Sequence, residues 1–131
     1  MAQTVLIVDD ESMTRDLLRM MLTPSGFEIH EAEDGLDALE KIGSFMPDIV
    51  LLDVMMPNMD GITLCQRLRS NGTTVALPII MLSAKTNFNA VEEGLSAGAN
   101  KYLTKPIARK TLLATIKELI GDDAQASVLS S

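Results

Sequence analysis

The 131-residue sequence predicts an α/β fold: one five-stranded parallel sheet, in strand order 2-1-3-4-5, with five helices on its two faces. Short apolar runs alternate along the chain with segments in which apolar residues recur at helical spacing. The runs at residues 4–8 and 49–52 are continuously aliphatic, as in strands buried on both faces. Successive runs lie about 20 to 30 residues apart, the length of a strand and a crossover helix, and right-handed crossovers covering both faces favour this strand order.

The first half of the chain contains three strands and two helices. We place the strands at residues 4–8, 27–31 and 49–52. Asp34 is positioned to cap the second helix, since a side-chain oxygen at that point can accept a backbone N–H of the first turn. In the first helix Met13, Leu17, Met20 and Met21 recur at helical spacing, and in the second Leu36, Leu39 and Ile42 are expected to face the core.

The second half repeats the pattern. We place its strands at residues 77–82 and 102–103 and its last helix at 109–120, and Asp60 is positioned to cap the third helix. The apolar residues that mark the three helices are Leu64, Cys65 and Leu68, then Ala90, Val91 and Leu95, then Leu112, Leu113, Ile116, Leu119 and Ile120.

Composition narrows the classes of function. A net charge of -7 argues against direct binding to nucleic acid, because phosphate contacts need clustered Lys and Arg. The single cysteine, Cys65, excludes an internal disulfide. No apolar run is long enough to span a membrane, and the N-terminus does not resemble a secretory signal, so we expect a cytoplasmic protein. We expect one domain at residues 1–121 and a flexible tail or linker at 122–131.

Acidic residues follow the first and third strands, which this strand order makes neighbours. Asp9 and Asp10 end the first run and Asp53 ends the third. Ligands of open α/β sheets bind beyond the carboxyl ends of the strands at such a switch point. Three carboxylates there would repel one another, so a positive partner is expected, either Lys105 or a divalent cation.

Among cations, Mg²⁺ fits best, since it takes oxygen ligands from one or two carboxylates, such as Asp10 and Asp53, together with water and a phosphoryl oxygen. One carboxylate could then accept a phosphoryl group, with Lys105 neutralising charge and the Ser83 hydroxyl bonding a phosphoryl oxygen. Each of these residues alone could be a helix cap or a surface side chain. Their joint placement at the ends of one predicted sheet favours a functional site.

These residues resemble a known family, the receiver domain of bacterial two-component response regulators, whose fold is the flavodoxin-like, CheY-like doubly wound sandwich. The resemblance covers about residues 3 to 121. It rests on Val8-Asp9-Asp10, on the loop 52–61 that begins Leu52-Asp53 and ends Asp60-Gly61, on Leu82-Ser83-Ala84, and on Gly98-Ala99 followed by Tyr102-Leu103-Thr104-Lys105-Pro106.

The resemblance implies a role for each site residue. Asp53 would accept the phosphoryl group, which Ser83 and Lys105 would bind. Mg²⁺ would be held by Asp10, by Asp53 and by the backbone carbonyl of Met55, while Asp9 would act through water or Lys105. Tyr102 would rotate inward together with the Ser83 loop as the switch. The Lys105-Pro106 peptide bond would be cis.

Partners also follow from the resemblance. The phosphoryl donor would be a phosphohistidine on a sensor histidine kinase or phosphotransfer protein, and His30 would take no part. An effector protein or domain, or a second copy in a homodimer, would bind the face made by the fourth helix, fifth strand and fifth helix. Neither Met55 nor Lys85 carries a carboxylate or amide to position water, so we expect the phosphorylated form to last minutes or longer.

Three other readings remain open at this point. A Mg²⁺-dependent phosphohydrolase would also form an aspartyl phosphate, but such enzymes carry a second acid two residues after the nucleophile, where Met55 stands. An FMN carrier lacks support, because the loop after the first strand has no Ser/Thr/Gly phosphate cradle and the chain has no Trp. A docking module that keeps the fold without phosphorylation is the third.

Overall fold

The computed structural model describes residues 2–57 and 59–121, which form one sheet covered by helices on both faces. All four strand pairings are parallel, and the strand order is 2-1-3-4-5. The predicted fold class is therefore confirmed. In chain order the elements are β1 (Thr4–Val8), α1 (Ser12–Leu22), β2 (Glu28–Ala32), α2 (Gly35–Phe45), β3 (Ile49–Asp53), α3 (Gly61–Arg69), β4 (Ile79–Ser83), α4 (Phe88–Ser96), β5 (Lys101–Thr104) and α5 (Arg109–Ile120).

The strand ends differ slightly from those expected. β2 lies one residue later, β5 is longer by one residue at each end, and β4 starts at Ile79 rather than Leu77. Leu77 donates its N–H to Thr74 within the preceding turn, and Pro78 has no N–H to give to a ladder. The first pairing of β4 therefore begins after the proline.

The sheet separates two apolar layers because successive side chains of each strand point to opposite faces. α1 and α5 cover one face, and α2, α3 and α4 cover the other. The apolar strand residues buried on the α1/α5 side are Val5, Ile7, Ile49, Leu51, Ile80 and Leu82, and those on the opposite side are Leu6, Val8, Ala32, Val50, Leu52, Ile79 and Met81.

Most of the apolar residues whose spacing predicted α1 are not the ones that this helix buries. Leu18 and Leu22 are its buried residues, whereas Met13 is 82% exposed and Leu17 and Met20 are also exposed. Met21 alone of the predicted set packs partly against the core. The helix has apolar side chains on two faces, and its leucine face is the one that packs on the sheet.

The expected inner face of α2 is partly wrong. Gly35, Ala38 and Ile42 are buried, while Leu36 is 57% exposed. Small residues let this helix approach its neighbours closely, since a Cβ on Gly35 would lie 2.8 Å from Cβ of Met59.

Other local predictions are confirmed. The Asp34 carboxylate accepts the N–H of Asp37, and the Asp60 carboxylate accepts that of Thr63, each 2.8 Å long. The Lys105-Pro106 peptide bond is cis. Among residues 2–57 and 59–121, no helix combines the length and apolar character needed to cross a bilayer. The predicted tail at 122–131 lies outside the described residues.

Candidate functional site

Three carboxylates meet at the carboxyl ends of β1 and β3. Asp9 and Asp10 follow β1 directly, and Asp53 is the last residue of β3, the strand that pairs with β1. Oxygen atoms from the three side chains lie within 4.8 Å of one another. Asp9 and Asp53 are buried, with 1% and 5% of their surface exposed, whereas Asp10 is exposed. The structure thus brings together the three acids that the sequence placed at this edge.

Lys105 lies over the two buried acids. It follows β5, two strands away from β3, and its side chain reaches back across the end of β4. Its Nζ donates to Oδ2 of Asp9 at 3.1 Å and to Oδ1 of Asp53 at 3.2 Å. One ammonium group therefore offsets part of the charge of both carboxylates.

The one positive charge of Lys105 does not balance the negative charges of the acids, and the pKa of Asp53 is affected. Burial, followed by the negative charge of Asp9, raises the pKa of Asp53 from 3.8 to about 6, although Lys105 and a backbone hydrogen bond from Met55 lower it. Burial also acts to lower the pKa of Lys105, but its hydrogen bond to Asp9 and the charges of both acids outweigh that effect and raise it. A further positive charge beside Asp53 would therefore be stabilised.

The loop after β3 packs tightly against the Asp53 backbone. Gly61 donates its N–H to the carbonyl of Val54, and a Cβ at Gly61 would overlap the carbonyl oxygen of Asp53. Only glycine fits this approach. The Met55 side chain is exposed, and the contact of this residue with the acidic group is the backbone hydrogen bond to Asp53.

Ser83 and Tyr102 are connected through Lys85. The Ser83 hydroxyl, buried at the end of β4, accepts the backbone N–H of Lys85 at 3.1 Å. The carbonyl of Lys85 accepts the Tyr102 hydroxyl at 2.9 Å. The Tyr102 ring packs against the core layer beside α4, where a Cβ on Gly94 would lie 2.8 Å from its Cδ2. A chain of two hydrogen bonds thus runs from the site to the surface of β5.

The donor set suits Mg²⁺. Carboxylate oxygens are the protein ligands that this ion prefers, and the three acids are close enough to share one ion. Lys105 offsets only part of their charge, so the acidic cluster fits a site for a cation.

Arg15 also contacts the site and is itself bound by Glu31, and no sequence motif singled out either residue. Arg15 of α1 donates to the Asp9 carbonyl and to the carboxylate of Glu31, a β2 residue paired with Ile7 of β1. The sequence could have indicated this pair only through an arginine in the first helix and an acid on the strand next to β1. His30 instead packs its ring on Phe45, with centroids 4.3 Å apart, and bonds Glu28.

Known proteins share both the sequence and the fold. A family model for the response regulator receiver domain matches residues 5–117. The response regulator MprA of Mycobacterium leprae is 43% identical over 131 residues, which is 97% of this chain and 57% of that protein. The chain therefore spans little more than half the length of that relative.

Two solved structures agree with this result. A putative response regulator from Chloroflexus aurantiacus has a TM-score of 0.89 and 38% identity, covering 92% of this chain and 98% of its own. The receiver domain of a sensor histidine kinase from Pseudomonas aeruginosa, with a magnesium ion coordinated in its active-site cleft, has a TM-score of 0.86 and 29% identity, covering 92% and 99%. The chain belongs to the response regulator receiver domain family of two-component signalling systems.

Proposed function

We propose that this domain is a cytoplasmic phosphorylation switch in which Asp53 accepts a phosphoryl group from a phosphohistidine of a sensor histidine kinase or phosphotransfer protein. The observation that carries the proposal is the position of Lys105, whose ammonium bridges Asp9 and Asp53 where three carboxylates meet. A buried acid beside a second acid and a lysine is arranged to take up a group whose charge the lysine can share.

In the transfer, an oxygen of the Asp53 carboxylate attacks phosphorus while the bond from phosphorus to the imidazole nitrogen breaks. The electron pair of that bond stays on the nitrogen, which then takes up a proton. Because the pKa of Asp53 is about 6, most of the carboxyl group is ionised and nucleophilic above that pH. The Lys105 ammonium and the Ser83 hydroxyl then donate to oxygens of the transferred group.

Mg²⁺ would be held by Asp10, by Asp53 and by the backbone carbonyl of Met55, with Asp9 contributing through water. When bound, this ion offsets the negative charge of the phosphoryl oxygens. The close packing of Gly61 on the Asp53 backbone supports this assignment, because it fixes the start of the loop that carries Met55. The position of Met55 also weighs against a phosphohydrolase, which would need an acid there.

The phosphoryl donor is proposed to dock beside α1. Met13, Leu17 and Met20 form an exposed apolar stripe on this helix. A cavity of about 310 Å³ next to it is lined by Leu17 and Lys105 among others. An apolar surface that leads directly to the lysine of the site suits a protein partner that must bring its histidine to Asp53.

The output is proposed to lie on the face made by α4, β5 and α5. A phosphoryl group that accepts the Ser83 hydroxyl proton draws the Ser83 oxygen toward the site, and that oxygen also accepts the Lys85 N–H. The Lys85 carbonyl in turn accepts the Tyr102 hydroxyl. Phe88 and Leu95 of α4 are exposed beside this chain of contacts. An effector, or a second copy of the chain, would read the rearranged face. The expected lifetime of the phosphorylated form, minutes or longer, belongs to the same proposal.

The test is labelling with acetyl phosphate, with and without Mg²⁺, read by intact mass. Wild type is expected to gain one phosphoryl group only with Mg²⁺, and Asp53→Asn to gain none. Asp16→Asn, which alters an exposed acid of α1, is the matched control and should label like wild type. Labelling that persists in Asp53→Asn would refute the assignment, and a wild type that never labels would favour a docking module without phosphorylation.

A further inference from the structure

Arg15 links α1 to the backbone that carries two of the acids. One terminal guanidinium nitrogen donates to the Asp9 carbonyl at 2.6 Å, and Nε donates to the Glu31 carboxylate at 2.9 Å. The Asp9 carbonyl belongs to the planar peptide unit that joins Asp9 to Asp10. The contact therefore fixes the orientation of the segment from which both side chains project.

The other hydrogen bonds of Asp9 involve its N–H and its carboxylate, and its carbonyl is bound by Arg15. The Asp9 N–H donates to the carbonyl of Ala32 at 3.1 Å, which holds the residue on its N-terminal side. Its carboxylate accepts the N–H of Glu11 and the ammonium of Lys105. Arg15 is the side chain that holds the carbonyl on the C-terminal side, next to Asp10.

Glu31 aims the arginine. Its carboxylate accepts Arg15 through one oxygen and Arg19 through the other, at 2.9 and 2.7 Å. Burial acts to raise the pKa of Glu31, but hydrogen bonds from the two arginines outweigh it and keep the pKa below its usual value. Because the guanidinium of Arg15 is planar and the Arg15 side chain is only 16% exposed, pairing with Glu31 restricts where the other nitrogens of the group can point.

We propose that Arg15 is a positioning residue: by holding the Asp9-Asp10 peptide, it sets the affinity of the acidic group for a divalent cation, and Glu31 holds Arg15 in turn. The inference rests on the proposed function, in which these acids bind Mg²⁺. Mg²⁺ demands near-octahedral oxygen ligation, so ligands fixed in advance bind it more tightly than ligands that must be ordered first.

Two effects of Arg15 oppose each other, and their sizes decide the sign. Its positive charge repels a cation, so removing it would tighten binding by charge alone. That charge is partly cancelled by Glu31, which lies at 2.9 Å and also pairs with Arg19. Loss of groups that orient metal ligands commonly costs about 10-fold to 100-fold in affinity. Removing Arg15 is therefore expected to weaken Mg²⁺ binding.

The test is a titration with Mg²⁺ alone, followed by amide NMR shifts of the residues around Asp9 and Asp53. Arg15→Gln is expected to raise the Kd for Mg²⁺ about tenfold. Arg19→Gln is the matched control, because it removes the other arginine bound to Glu31 and nothing that touches Asp9. Its Kd should stay within about twofold of wild type, an expectation that follows from its missing contact with Asp9.

Further variants keep the test decisive. Arg15→Lys retains the charge but cannot hold Glu31 and the carbonyl together, so its Kd should lie between wild type and Arg15→Gln. It also replaces Arg15→Gln if that variant fails to fold. Acetyl-phosphate labelling of Arg15→Gln should be slow at low Mg²⁺ and recover at saturating Mg²⁺, which separates affinity from the transfer step.

The outcomes distinguish the two proposals. A wild type that binds Mg²⁺ and labels, with an Arg15→Gln variant whose Kd is unchanged or lower, overturns the positioning role and leaves the proposed function standing. Equal weakening in Arg19→Gln and Arg15→Gln also overturns it, because docking of α1 on β2 would then be the cause. A wild type with no response to Mg²⁺ overturns both.

Discussion

The acidic site and the face formed by α4, β5 and α5 are built in opposite ways. In the site, Asp9 and Asp53 are buried with like charges together and one lysine between them. On the face, Lys101 and Glu118 pair in the open, and Tyr102 is held at its tip by one hydrogen bond. Burying two like charges in the site therefore costs free energy, whereas the face is held by weak contacts that can be exchanged.

Lys85 joins these two regions through its backbone alone. Its N–H is committed to Ser83 and its carbonyl to Tyr102. A change of charge in the site can therefore reach the face through two hydrogen bonds, each worth about 1 kcal/mol. The unfavourable electrostatic energy therefore lies in the acidic site, whereas the contacts that can rearrange lie on the α4-β5-α5 face.

The largest effect is expected from Lys105→Met, measured by urea unfolding at pH 7.5 with EDTA. Without the ammonium, Asp9 and Asp53 remain buried as unpaired like charges. Breaking a buried pair in this way costs about 4 kcal/mol of the free energy of unfolding. A loss below about 1 kcal/mol, the size of a surface pair, would remove the contrast between the regions.

Asp53→Asn is expected to stabilise the protein in EDTA. The pKa of Asp53 is about 6 in the folded protein and 3.8 ordinarily. The folded state thus holds this proton more tightly, and the free energy of unfolding falls as the pH rises from about 4 to about 6. Above that range the cost is complete at about 3 kcal/mol, which asparagine avoids.

The matching measurement is urea unfolding of both proteins at pH 4.5 and pH 7.5. The gain from Asp53→Asn should be larger at pH 7.5, and saturating Mg²⁺ should reduce it by stabilising the wild type. An equal gain at both pH values would mean that ionisation of Asp53 is not its source.

Gly94→Ala tests the packing of Tyr102. The new Cβ would lie 2.8 Å from the ring and 2.9 Å from the sulfur of Met81, so the ring must move outward and leave Lys85. Crowding costs about 2 kcal/mol, and alanine returns about 1 kcal/mol of helix propensity, for a net loss of about 1 kcal/mol. NMR shifts of the single tyrosine report the displacement.

The double variant Gly94→Ala/Tyr102→Ala is the control for that displacement. With the ring gone, the contact at 2.8 Å disappears and only the Met81 sulfur at 2.9 Å remains, so Gly94→Ala should cost less in the Tyr102→Ala background than in the wild type. If Gly94→Ala costs the same with and without the ring, Tyr102 is not what the glycine accommodates.

The smallest effect is expected from Lys101→Met, the counterpart of Lys105→Met. Lys101 begins β5, and Lys105 directly follows the end of that strand. Lys101 pairs with Glu118 where both side chains are exposed. The loss should be below about 1 kcal/mol and should shrink further in 0.5 M salt, because screening weakens surface pairs. A loss as large as that of Lys105→Met would show that exposure does not separate the two pairs.

The sequence predicted the sheet better than the helix faces, and the reason is physical. Short aliphatic runs bounded by turn residues favour strands buried on both sides. α1 is apolar on two faces, so spacing alone could not choose Leu18 and Leu22 over Met13 and Leu17. Contacts of Arg15 and Arg19 with Glu31 accompany the orientation adopted, and they depend on β2 lying beside β1.

The site followed the same division. Convergence of Asp9, Asp10 and Asp53 was predictable, because strand order alone brings the ends of β1 and β3 together. The role of α2's small residues was not, because Gly35 and Ala38 carry no apolar periodicity of their own. The hydrogen bond from Arg15 to the Asp9 carbonyl was also not predictable. Any residue has a backbone carbonyl, so the sequence does not indicate which one an arginine will bind.

Asp53 ends the central strand of the sheet, and this has a consequence for amide hydrogen exchange. β3 is paired with β1 on one side and with β4 on the other, and the ladder continues past Asp53 to the Val54 N–H, which donates to Leu82. Amides there are expected to exchange only when the sheet opens as a whole. Phosphorylation of Asp53 would therefore change the exchange rates of its own strand little. The amides near Lys85 would show the change in exchange rate instead.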